Sequence, residues 1–301
     1  MTEMFGTWYV VPTPFDPNGE VDLPSLRRLI DAAVSWGVDG LTVMGVMSEA
    51  TSLTGDERAA ALGAILDSAA GRVPVAVGCS GASPHLVRQR IAQAAELGAA
   101  AAMVSAPPLL RNIDLLPRFY GAVAGRLPLV VQDEPAATGV LVPVTALLAC
   151  LDAARATVVK LEDPPTPPKI SALLKARPGL TVFGGLGGVS ALSELGRGAR
   201  GTMTGFAFPE VLRAVRLALE AGDAARAGAI FDHYLPLIQF EGQPVTGLAI
   251  RKEVLRRRGT IDCPATRTIA GGIDPVTAAE LDGVLDRVGL IPSISPLEVS
   301  L

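Results

Sequence analysis

A lysine and two acids stand together where an apolar run stops. In "VVKLEDPPTPPK", Val158 to Lys169, Lys160 is followed by Glu162 and Asp163, and four prolines then fall within five residues. Alternate side chains of an extended chain share a face, so Val158, Lys160 and Glu162 point the same way. A free lysine has a pKa of about 10.4, so roughly one in a few thousand is the neutral nucleophile at pH 7. Apolar walls disfavour an ammonium and prepare such an amine to form a Schiff base with a carbonyl; the iminium is then an electron sink for breaking or making the neighbouring bond. The same two residues also suit a plain salt bridge that closes a core, and the local pattern leaves both readings open. The prolines cannot join a strand ladder, so they end the strand and stiffen the connection behind the lysine.

Proton transfer would need further groups. Asp133 and Glu134, in "VVQDEPAATG", join Glu162 as carboxyls that burial can tune toward neutral pH. Helix capping and loop solvation are the alternative for them, and Glu162 is the first to test. "FGGLGG", residues 183–188 with Gly184 at its centre, suits either a backbone-amide cradle for a phosphorylated sugar acid or a tight turn needing positive φ. A second chemistry would use Asp133, Glu134, Glu162 or Asp163 to hold Mg²⁺ and polarise an enolate. Only His85 and His233 are present, and Cys79, Cys150 and Cys263 lie far apart without metal-ligand spacing. No metal and no other cofactor is expected.

The elements that must position these groups repeat. "GRVPVAVG", "GRLPLVVQ" and "RPGLTVFGG" each put Gly or Pro before a short apolar run, as for a strand entered from a loop. "WGVDGLTVMG", "LGAAAAMVSA" and "RGARGTMTG" each show a helix closing at Gly with a strand soon after. Interleaved with "WYVV" at 8–11 and "TVVK" at 157–160, they make eight strands, most of them separated by amphipathic helical stretches over 24–37, 55–71, 83–98, 115–125, 143–151 and 166–179. Regular alternation of this count predicts an α/β fold, a (β/α)8 TIM barrel over residues 1–223, with a C-terminal helical extension over 224–301. An open doubly wound sheet has the same alternation, but no GxGxxG follows the first strand. In a barrel the site lies where strands end, which aims Lys160 into the mouth.

Of 301 residues, 49% are hydrophobic and only 4% aromatic, so the interior is built from Val, Leu, Ile and Ala, as in strands buried on both faces. A net charge of -4 offers no basic surface for nucleic acid. The one basic cluster, "RKEVLRRRG" at 251–259, reads as an exposed helix end whose cations suit the dipole. The N-terminal stretch lacks the pattern of a signal peptide, no apolar run reaches the ~18 residues of a membrane span, and the odd, scattered cysteines point to a reducing compartment. A cytoplasmic protein without membrane contact is expected.

The chain resembles the dihydrodipicolinate synthase and N-acetylneuraminate lyase family of class I aldolases. The resemblance is carried by "VPTPFDPNGEVDLPSLRRLIDAAVSWGVDGLTVMG" with "SEATSLTGDER", by "LPLVVQDEPAATG" and by "VVKLED", in order and spacing across nearly the whole chain. It implies that Lys160 is the Schiff-base lysine. It implies that Gly45, Val46, Met47 and Ser48, with Glu49, stand for the family's Gly-Thr-Thr-Gly-Glu, whose amides hold the carboxylate of a 2-oxo acid such as pyruvate. Ser48 would partly replace the missing threonine hydroxyl, and Met203 would line the pyruvate pocket. Gln132 takes the place of the family's catalytic tyrosine, Ala137 that of an arginine that receives a second substrate, and Pro107 and Pro108 that of an aromatic pair. Glutamine orients groups but has no usable pKa. The resemblance thus implies a lyase acting on pyruvate, a larger 2-oxo acid or a sugar acid by aldol cleavage, condensation or dehydration, with genuine 4-hydroxy-tetrahydrodipicolinate synthesis doubtful. It also implies a homotetramer. A catalytically silent binder of 2-oxo acids is the alternative from another class.

Overall fold

The computed structural model describes residues 4–268 and 271–300. Eight strands run β1 Gly6–Val10, β2 Gly40–Val43, β3 Val75–Gly78, β4 Ala101–Ser105, β5 Leu129–Asp133, β6 Val158–Leu161, β7 Thr181–Gly184 and β8 Gly201–Thr204. All neighbours pair in parallel and β8 returns to β1, so the sheet is a closed barrel. Each strand overlaps one of the eight expected runs; β1 starts at Gly6, ahead of its run, and β5 and β6 end at Asp133 and Leu161, just past theirs. The parallel ring leaves no edge strand.

Side-chain alternation divides the core in two. Trp8, Val10, Ala76, Ala101, Met103, Val130, Val158, Phe183 and Met203 fill the barrel, while a larger cluster lies between sheet and helices. Trp8 needs Gly40 opposite it, because a Cβ at Gly40 would stand 2.5 Å from the indole. The register sets Lys160 beside Gln132 on one side and Phe183 on the other. Lys160 therefore follows Val158 along the inner wall of β6, one layer nearer the mouth.

The six helices expected from amphipathic patterns form, each ending within about three residues of the reading. Local capping explains three of their starts: Thr54 and Glu57 make a reciprocal capping box at Gly55–Ala69, and Asp22 and Ser83 cap Leu23–Ser35 and Pro84–Glu96. The helix Ala191–Gly196, between β7 and β8, was not singled out, since six residues hold too few turns for a period. Beyond β8 come Pro209–Glu220, Ala224–Glu241, Gly247–Arg257 and Pro275–Arg287, whose apolar residues join the cluster around the barrel. Among the described residues no helix is long and apolar enough to cross a membrane.

The basic cluster at 251–259 is an exposed helix end only in part: Arg256 is exposed and Arg257 half-buried in the last turn, but the other three cations are not. Arg251, Lys252 and Arg258 are buried, and each meets a buried carboxylate. Arg258 bonds both Glu210 oxygens and lies between the Trp36 and Phe208 rings, 3.8 and 4.4 Å from their centres. Their partners come from other elements: Glu241 from the helix Ala224–Glu241, Glu49 from the turn after β2 and Glu210 from the helix Pro209–Glu220.

Candidate active site

Lys160 lies one residue before the end of β6 with only 5% of its surface exposed, and its Nζ lies 3.0 Å from Glu162 Oε2. Glu162 lies beyond the last ladder residue of β6, yet its amide still donates to Asp133 O at 2.8 Å, which prolongs the extended chain and keeps both side chains on one face. Gln132, next to Lys160 in register on β5, donates from Nε2 to Glu162 Oε2 and to Glu134 Oε2, each at 2.8 Å. One neutral amide thus spends both hydrogens on two carboxyls beside the amine. Burial first, and then the Glu162 charge, push Glu134 up to about 7, with Lys160 pulling the other way.

These groups open into a cleft of about 520 Å³ at the end of the barrel where the strands finish, lined also by Gly45, Val46, Met47, Leu186, Met203 and Arg251. Val46 begins a single 3₁₀ turn, Val46–Ser48, framed by left-handed Met44 and Glu49. Lys252 fixes Glu49 at 2.5 Å, so a helix beyond the barrel holds this turn in place. Arg251, on the same helix, donates to Glu241 and contacts Met47 Sδ at 3.4 Å.

Two expected members stand elsewhere. Ser48 is 1% exposed and does not line the cleft; its hydroxyl donates to Val11 O at 2.6 Å and its amide to Gly45 O at 3.1 Å, so both donors are spent on main-chain oxygens. Gly184 has the wrong parity. Phe183 is the inward residue of β7, so Gly184 faces out, where an added Cβ would meet Glu194 Oε2 at 1.7 Å. Its neighbour Gly185 faces in, and a Cβ there would stand 2.4 Å from Glu162 Oε1. The glycine run is a turn with positive φ at Leu186, Gly187 and Gly188 that makes room for Glu162, whose Oε1 accepts a long 3.4 Å bond from the Leu186 amide.

Asp133 and Asp163 do not join the cluster. Both bind Lys169 Nζ, at 2.5 and 2.7 Å, and that ammonium sits where a cation between them would be. Two of the four acids considered for Mg²⁺ are thereby engaged, and among the described residues no three His, Cys, Asp or Glu side chains converge as a metal site. None of the three tyrosines, Tyr9, Tyr120 and Tyr234, lines the cleft. Glu134 was legible, because it shares parity with Gln132 just as Glu162 does with Lys160. Arg251 carried no such signal, being one of several cations in the middle of a distant helix.

The chain matches the model of the Dihydrodipicolinate synthetase family over residues 4–268. It is 32% identical over 295 residues to the L-2-keto-3-deoxyarabonate dehydratase of Azospirillum brasilense, covering 94% of each chain. It is 35% identical over 254 residues to a 4-hydroxy-tetrahydrodipicolinate synthase of Thermomicrobium roseum, covering 77% of this chain and 78% of the relative. Among solved structures, a dihydrodipicolinate synthase from Rhodopseudomonas palustris superposes with a TM-score of 0.89 at 31% identity, over 94% of this chain and 97% of that one. With barrel, order of strands and sequence agreeing over almost its whole length, the chain belongs to the dihydrodipicolinate synthetase family and is a lyase of the class I aldolase type.

Proposed function

We propose that this lyase forms a Schiff base through Lys160 with a 2-oxo-3-deoxy acid and removes water from C3 and C4. The observation that carries the reading is the Gln132 amide joining Glu162 and Glu134 beside the amine, where the family places a tyrosine. Lys160 attacks the C2 carbonyl and a water leaves as the iminium forms. Glu162, 3.0 Å from Nζ, takes a proton from C3 and the electron pair moves into the iminium, giving an enamine. The enamine pushes out the C4 hydroxyl, which leaves as water with the proton of Glu134. Water then hydrolyses the conjugated iminium, frees Lys160 and releases a 2-oxo product one water poorer than the substrate. A carboxyl at about 7 is protonated in a useful fraction at neutral pH, as a general acid requires.

Gly45, Val46 and Met47 form the wall on which the substrate carboxylate would rest, with Met203 beneath it. The strong similarity to a dehydratase supports elimination over synthesis of a dipicolinate skeleton. The lack of an arginine at Ala137 supports the same choice.

Borohydride reduction in the presence of pyruvate, followed by peptide mass spectrometry, tests the imine. A reduced adduct on the peptide holding Lys160, absent in Lys160→Arg, is expected; an unlabelled wild-type protein would refute the reading. Release of the dehydrated product from a 2-oxo-3-deoxy acid, insensitive to chelator, separates this lyase from a silent binder and from a Mg²⁺ enzyme. Exposed Leu109 and Leu141, 79% and 69% accessible, suit a homotetramer, which sedimentation would check. Three cysteines free of disulfides suit the cytoplasm.

A further inference from the structure

A second cavity of about 330 Å³ adjoins the cleft, and the two share Gly45, Val46, Met103, Gln132 and Glu134 as a common wall. Its far side is lined by Arg58, Arg90, Ser80 and Ser105. Arg58 is 7% exposed, yet it has no carboxylate partner among the described residues. One nitrogen, Nη2, donates to Gly78 O at 2.5 Å, while Nε is buried with no partner at all. Arg90, half-buried, donates from Nη1 to Ser80 O. Two main-chain oxygens thus receive two guanidinium groups that carry five donors each.

Charge is as unbalanced as hydrogen bonding. Burial depresses the Arg58 pKa and the Arg90 charge depresses it further. The nearby Cys79 thiol is pushed by burial up to about 11, so it is neutral and supplies no counter-charge. Glu134, the one carboxyl in the lining, is bonded to Gln132. Enclosing a cation without an anion is costly unless the anion arrives with a ligand.

We propose that this second compartment receives an anionic group, a carboxylate or phosphate, at the end of the substrate remote from its 2-oxo acid head, and that Arg58 and Arg90 determine specificity by binding it. The inference rests on the Schiff-base reading, since Lys160 fixes the head in the first cleft while the chain passes Gln132 and Glu134 to reach the second. The substrate class is then a doubly acidic 2-oxo-3-deoxy compound.

Competition trapping reads this directly. Enzyme is mixed with equal amounts of a six-carbon 2-oxo-3-deoxy acid ending in CH₂OH and its counterpart ending in a C6 carboxylate or a C6 phosphate, reduced with borohydride, and the Lys160 adducts are counted by mass. The anionic-ended adduct is expected to dominate on the order of ten- to a hundredfold, as charge-assisted bonds in an enclosed site allow. Arg58→Gln and, independently, the less buried Arg90→Gln should each lower that ratio about tenfold; thermal melting identifies a variant that fails to fold, and the other then decides. A ratio near one, or a ratio that neither folded variant changes, overturns the inference. Inorganic phosphate should compete with the anionic-ended acid alone; if it instead alters turnover of either acid without competing, the compartment serves a separate effector and the inference fails. A pyruvate adduct with a flat ratio sinks this inference only, whereas no adduct with any 2-oxo acid sinks the imine reading as well.

Discussion

In the proposed mechanism Gln132 is what lets this site move protons without a tyrosine. Its amide cannot titrate, but it keeps Glu134 and Glu162 together beside the amine, where one charge raises the proton affinity of the other. Glu134→Gln keeps the hydrogen-bonding shape and removes the acid, so kcat should fall on the order of a hundredfold. The proposed mechanism uses the protonated form of Glu134, so the rate should decline as pH rises through about 7. A pH–kcat profile checks both statements: the decline should vanish in Glu134→Gln, and its persistence there would give the acid role to another group.

The elements that carry these side chains are held by small residues and buried ions. Gly185 is the clearest case, since the turn after β7 leaves no space for a methyl beside Glu162. Gly185→Ala should displace that carboxylate and lower kcat at least tenfold, with a stability loss of roughly 1–3 kcal/mol by overpacking. Steady-state kinetics beside a urea melt separate the two effects; a fully active variant would show that Glu162 need not stay where it is. On the opposite flank, Arg258 ties the helix Gly247–Arg257 and the residues after it to Glu210, Ala207 and the tail at Ser293. Arg258→Met leaves Glu210 buried without its partner and should cost about 3–5 kcal/mol, read as a lower urea midpoint. The same helix brings Arg251 to the cleft and Lys252 to Glu49 beside the Val46–Ser48 turn, so its loosening should raise KM as well.

Stability of the whole molecule should depend on pH through its buried carboxyls. Glu194 is 1% exposed, accepts a bond from Thr166 Oγ1, and has Oε2 unpartnered; burial pushes it up to about 7, as it does Glu134. The native state then holds protons that the unfolded chain has lost, so stability is greatest below about 4.5 from these groups and declines as pH rises toward 7. Glu194→Gln should flatten that decline by about 2–3 kcal/mol, visible as a smaller drop in melting temperature between pH 5 and 8. The sequence by itself determined the eight strands, because a short apolar run between Gly and Pro has few other conformations in a buried sheet. It also determined that Lys160 and Glu162 share a face, because alternation along a strand is a local property. Only the tertiary structure decided which parity faced inward at β7, which turned Gly184 out and Gly185 in. It alone gave Lys169 to Asp133 and Asp163, closed Gln132 over Glu134 and Glu162, and carried Arg251, Lys252 and Arg258 into the core. Several of those pairings, Lys169 with Asp133, Gln132 with Glu162 and Arg258 with Glu210 among them, join residues far apart in sequence, and whether a charge is solvated, paired or left for a ligand depends on what folds against it.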